Sequence, residues 1–162
     1  LTTSVSYRMM VLLGRTQGYL GRWRDAATTL AKLFDQESIL TPDQGRLNNT
    51  VLSAKPELLA SYLEYGYAEF QVAAAEKDLE RFGRARGIFE VLAASLGGDS
   101  RRWWHAKFHQ IRCLIEQGAY RDADIAVRSV ERTTQDFDQG KFGYKARFLA
   151  LKAELSKKNF RQ

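Results

Sequence analysis

Apolar residues recur along this chain at spacings of three and four, and no segment sustains the alternation of a half-buried strand. The pattern predicts an all-α chain of about seven helices. The first, near 5–20, places Val5, Met9, Leu12, Leu13 and Thr16 on one face expected to be buried, and it stops at Gly21. A second follows over about 23–36. Thr41-Pro42-Asp43-Gln44 reads as a helix start, with Thr41 as cap, Pro42 at the first helical position and Gln44 closing a capping box, so a short helix is predicted near 42–52. Pro56 restarts the chain into a long apolar-periodic segment to about 78. Another helix runs from about 81 to Gly97-Gly98, and Asp99 or Ser100 caps a further one that reaches about 117 and breaks at Gly118. Helices near 120–136 and 142–157 complete the chain.

Composition agrees with one folded domain. The 162 residues are 44% hydrophobic and 27% charged, ordinary globular usage, and only two are proline. A single cysteine cannot form an internal disulfide, so cysteine usage leaves the redox compartment open. No stretch approaches the roughly 18 apolar residues of a membrane span, and LTTSVSYRMM lacks the charged-then-apolar order of a secretory signal. The expectation is a soluble domain. The chain opens on Leu1, which suggests a processed or excised piece, so both a cytoplasmic and an exported location stay open.

Internal similarity bears most on the architecture. Gly21-Arg22-Trp23-Arg24-Asp25-Ala26 and Gly118-Ala119-Tyr120-Arg121-Asp122-Ala123 share glycine, a filler, an aromatic and Arg-Asp-Ala, and Phe82-Gly83-Arg84-Ala85 is a looser copy. Each alanine is followed four residues on by Leu30, Phe89 or Val127, a small-to-large pairing that lets two helices pack closely. At these residues the chain resembles the tetratricopeptide repeat family, whose unit is a helix pair of about 34 residues. Leu13-Gly14 matches the family's Leu-Gly step, Gly21 its turn, and Ala85-x3-Phe89 its second-helix pair. Gln110-Ile111 replaces Leu-Gly in the third copy, Met10 and Lys107 stand in the tryptophan slot, and the closing proline is missing. The anchors Trp23, Phe82 and Tyr120 are spaced 59 and 38 residues apart, so the units are uneven. The resemblance implies a right-handed stack of antiparallel helix pairs, a TPR-like α-solenoid with units near 5–37, 57–96 and 101–136 and a terminal helix near 142–157.

No catalytic constellation emerges. His105, His109 and Cys113 share a helix face, but positions eight apart lie roughly 12 Å apart, too far to share one metal. Counted from the aromatic anchors, Cys113 falls where Thr16 and Ala75 stand, a packing position, and no group nearby would orient a Cys-His pair. Gly97-Gly98-Asp99-Ser100 lacks the lysine and preceding strand of a phosphate loop. Glu64, Glu69, Glu76 and Asp78 read as solvated helix faces, and Asn48-Asn49-Thr50 fits the glycosylation pattern. No enzyme activity, cofactor or metal is expected.

Charge is the remaining clue. Residues 81–112 hold Arg81, Arg84, Arg86, Arg101, Arg102, Lys107 and Arg112 against Glu90 and Asp99, which accounts for most of the net +6. Trp103 and Trp104 beside Arg101 and Arg102 could stack on bases, which admits a nucleic-acid-associated reading. The leading expectation is a non-catalytic scaffold that grips a peptide or partner domain on its concave face; an accessory domain of a larger protein is the alternative. In the repeat resemblance the groove is lined by first helices. Counting back equally from Trp23 and Tyr120 then pairs Arg15 with Arg112 and Arg8 with His105, and puts Tyr67 and Lys77 near that surface in the middle copy. These six residues are the predicted contacts to an acidic segment.

Overall fold

The computed structural model describes residues 2–158, with side chains from residue 6. Among the described residues the chain is all-α, with nine helices: α1 (Thr2–Tyr19), α2 (Trp23–Gln36), α3 (Asn49–Ala54), α4 (Glu57–Glu76), α5 (Leu79–Ser95), α6 (Arg101–Glu116), α7 (Tyr120–Thr133), α8 (Gln135–Asp138) and α9 (Lys145–Ser156). Three antiparallel pairs, α1/α2, α4/α5 and α6/α7, stack in chain order, each second helix also packing on the first helix that follows it. First helices α1, α4, α6 and α9 touch one another in sequence, whereas α2, α5 and α7 do not meet. A stack whose first helices are in contact and whose second helices are splayed curves toward the first-helix side.

The turns explain why pairs form here. Gly21 and Gly118 take φ of +71° and +77°, the left-handed region that costs glycine nothing. Behind each, a backbone bond reaches five residues back, Arg22 N–H to Gln17 at 2.8 Å and Ala119 N–H to Leu114 at 2.9 Å, closing the helix. The middle turn has the same form with Lys77 at φ +55° and Asp78 N–H bonded to Ala73 at 3.0 Å. Asp78 then caps α5 by accepting from the Arg81 N–H at 3.1 Å.

Glycines also set the pair crossings. A Cβ on Gly14 would meet Leu30 at 2.7 Å, and one on Gly66 would meet Ile88 at 2.9 Å and Phe89 at 3.0 Å. Gly66 therefore serves Phe89 as Gly14 serves Leu30. From crossing to turn, α4 is four residues longer than α1 and α5 three longer than α2, one extra turn in each helix. Counting back from Phe82 misses that insertion by seven residues, so the middle counterpart of Thr16 and Cys113 is Ala68 rather than Ala75. Ala68 and Cys113 are buried, as are Ala26, Ala85 and Ala123 on the second helices.

Other expectations are corrected. The buried face of α1 is Tyr7, Val11 and Gly14, while Met9, Leu12, Leu13 and Thr16 are exposed; the side chain of Val5 lies outside those described. Either face is apolar enough to be buried, and only the one against α2 and α4 is. Residues 42–47 are not helical. An isolated bridge joins Leu40 to Leu47, Thr41 Oγ1 donates to Asp43, and Asp43 Oδ1 accepts from the Gly45 N–H at 3.2 Å. Helix α3 starts later, capped by Asn48, whose side chain accepts from the Thr50 and Val51 N–H groups. Ser100 occupies the cap position of α6 without a side-chain bond. The helix predicted near 120–136 ends at Thr133, and residues 135–139 all have left-handed φ between 48° and 59°. Glu69 is buried rather than solvated, and its carboxylate takes Arg81 Nη1 at 3.0 Å. No helix among the described residues is long and apolar enough to cross a membrane.

Candidate functional site

Small residues open a cleft on the first-helix side of the stack. Gly14 and Gly18 lie one turn apart on α1, so that helix presents backbone rather than side chain toward Leu30 and Trp23 of α2. The result is a cleft of about 250 Å³ floored by Ala26, Leu30 and Ala68 and walled by Tyr19, Trp23, Leu63 and Tyr67. Tyr67 is fixed edge-on by Trp23 at 5.3 Å and by His109 at 5.2 Å between ring centres. A second, more open cavity of about 500 Å³ continues from it over α6, lined by Leu63, Ser100, Arg101, Arg102, His105 and Tyr144. Leu63 and His105 border both, so the two form one groove across α1, α4 and α6.

Ion pairs run along the same side. Arg8 and Arg15, two turns apart on α1, meet Glu57 at 3.2 Å and Glu64 at 3.0 Å on α4. Arg112 meets Glu154 of α9 at 2.5 Å and Glu116 at 2.7 Å. Glu57 also accepts from Tyr7 Oη at 2.7 Å, and this hydrogen bond holds its carboxyl below the usual range. Glu64 is pushed the other way, upward, because burial outweighs the attraction of Arg15 and Arg102. Its Oε2 and Arg15 Nε find no aligned hydrogen-bond partner among the described residues.

His105 and His109 sit 4.4 Å apart between ring centres, amid Tyr67, Phe89 and Phe108. Burial first, then nearby arginines, pushes His105 down to about 4, and burial, then His105 and the arginines, pushes His109 to about 3, so both are neutral at pH 7. His105 Nδ1 lies 3.2 Å from Tyr144 Oη. The Cys113 thiol is pushed up to about 12 by burial, which suits packing and not nucleophilic attack. No cluster of three or more potential metal ligands occurs among the described residues.

Of the six predicted contacts, Arg15, Tyr67 and His105 line the groove. Arg8 and Arg112 lie on first helices but are each held by a carboxylate of the next one. Lys77 occupies the α4/α5 turn, the place of Gly21 and Gly118. Tyr67 follows Gly66 as Arg15 follows Gly14, so it takes Arg15's place and not that of Arg8. Sequence reasoning missed Gly18, Leu63 and Glu64 as lining residues; the four-residue spacing of Gly14 and Gly18 was the available signal. Trp103 and Trp104 point inward, their indole N–H groups donating to Ala93 O at 3.1 Å and Gly98 O at 2.8 Å. Trp104 is fully buried and so offers no stacking face, while Trp103 is half-buried and packs edge-on against it. Comparison of the chain with family models, curated proteins and solved structures finds no match.

Proposed function

We propose that the chain is a non-catalytic scaffold of the tetratricopeptide-like kind, which holds a segment of another protein in the groove across α1, α4 and α6. The observation that carries this is the groove itself: an apolar cleft opening beside a cationic cavity, lined by residues of α1, α2, α4 and α6 with Tyr144 at the start of α9. Sites of this sort bind extended or helical segments through a few side-chain pockets. The test is selection of a displayed random-peptide library on the immobilised chain, with binding mapped by backbone amide shifts. Selected peptides should move signals of α1, α4 and α6. Shifts confined to α2 and α5, or no selected peptide, would overturn the reading.

A second reading has its own support. The outer face of α1 exposes Met9, Leu12 and Leu13 by 51–63%, with Tyr19 and Leu20 beyond, an apolar surface suited to packing on another domain of a larger protein. A longer gene product in which these residues lose solvent exchange would favour it.

A further inference from the structure

The groove has two chemically different halves, and the second is defined by elimination among the basic residues of the first helices. Arg8, Arg15 and Arg112 are neutralised by Glu57, Glu64 and Glu154. Lys145 pairs with Asp136, and Lys152 with Glu131 at 2.7 Å. Lys107 is half-buried and feels the charge of Glu90 of α5. Arg101 and Arg102, by contrast, form no ion pair among the described residues, and both are exposed on the wall of the cationic cavity. Arg147 of α9 adds a third cation: it lies over the Tyr144 ring at 5.2 Å, and its field, with that of Arg101, reaches His105 and Tyr144.

The charge on this half is one-sided. Glu64 is the one carboxylate lining either cavity among the described residues; it is ion-paired to Arg15 and also feels the field of Arg102. An anion placed over Arg101 and Arg102 would meet two guanidinium groups without an ion-pair partner at the first turn of α6, where backbone N–H groups add to the positive field. The other half is the reverse. Its lining is apolar apart from the Arg15–Glu64 pair and His105, which burial keeps neutral, and its volume suits one large side chain.

Resting on the groove reading above, we propose that the segment bound there carries a large apolar side chain followed directly by acidic residues. The apolar side chain fills the cleft between α1, α2 and α4, and the carboxylates lie across Arg101 and Arg102. The acid-binding cations are thus the unpaired arginines of α6, and not the paired Arg8, Arg15 and Arg112.

Isothermal titration of the full chain with three acetylated, amidated peptides tests this: Gly-Ser-Phe-Glu-Glu-Ser, its Gln-Gln counterpart, and Gly-Ser-Ala-Glu-Glu-Ser. The first should bind at least about tenfold more tightly than either other, as charge-assisted contacts and one buried ring each contribute. Arg101→Gln with Arg102→Gln, both exposed and so expected to melt as the parent does, should reduce the first peptide to the affinity of the second. Arg8→Gln, at a paired arginine that lines neither cavity, should not. Equal binding of the Glu-Glu and Gln-Gln peptides, or unchanged affinity in the Arg101/Arg102 variant, overturns the proposal. If none of the three binds while library-selected peptides still occupy the groove, the proposal fails and the scaffold reading stands; if those also fail, the scaffold reading falls with it.

Discussion

The side chain of Leu30 lies so close over Gly14 that an added Cβ would meet two of its carbons at 2.7 Å, and Phe89 with Ile88 covers Gly66 in the same way. The glycines are what allow each helix pair to close. Gly66→Ala gains about 1 kcal/mol in helix propensity but must displace Ile88 and the buried Phe89 ring, which costs roughly 1–3 kcal/mol. A net loss is expected, with a lower melting temperature. Gly87 is the control: nothing lies within 4 Å of a Cβ there, so Gly87→Ala should stabilise by up to about 1 kcal/mol. Thermal melts in which Gly66→Ala gains as much as Gly87→Ala would remove the close-crossing account.

Arg81 covers a buried carboxylate, that of Glu69, which is 3% exposed. Arg81→Met leaves that charge unpaired in the interior, at a cost of about 3–5 kcal/mol. Adding Glu69→Leu removes the stranded charge, and most of the loss should be recovered. Urea titrations showing no recovery in the double variant would mean that Arg81 acts by packing alone.

Ala123 is wholly buried within the cluster that joins α6, α7 and α9. Ala123→Leu should overpack it by on the order of 1–3 kcal/mol. A circular dichroism melt at the parent temperature would contradict the packing assigned to this position.

Acid should weaken the fold through His105 and His109. Their folded values of about 4 and 3 lie below the ordinary value near 6.5, so between these limits the unfolded chain binds more protons and stability rises with pH. Their full contribution is present above about pH 6.5 and is lost as pH falls toward 4 and 3. Arg147, Arg101 and Arg112 face the pair and, after burial, are part of why charging it is costly. Glu64, raised by burial, contributes in the opposite sense. From pH 7 to pH 5 a loss on the order of 2 kcal/mol or more is expected. His109→Phe, which keeps a ring against Phe89, should flatten the acid limb; an unchanged limb would show that other groups govern it.

The sequence by itself determined the features that depend on neighbours along the chain. Helical periodicity marked the long helices, Gly21 and Gly118 marked two turns by their need for positive φ, and the recurring alanines Ala26, Ala85 and Ala123 marked the interior of the second helices. Tertiary structure decided whatever depends on distant partners. Helix α1 is apolar on two faces, and contact with α2 and α4 selected Tyr7 and Val11 over Met9 and Leu12. The extra turn in α4 and α5 moved the middle register, which no local motif records. Arg8 and Arg15 looked like free cations because the carboxylates that hold them lie 49 positions away, and Arg112, besides Glu116 four residues on, is held by Glu154, 42 positions away. Which charges stay unpaired is a property of how the first helices align, and only their stacking leaves Arg101 and Arg102 facing the groove.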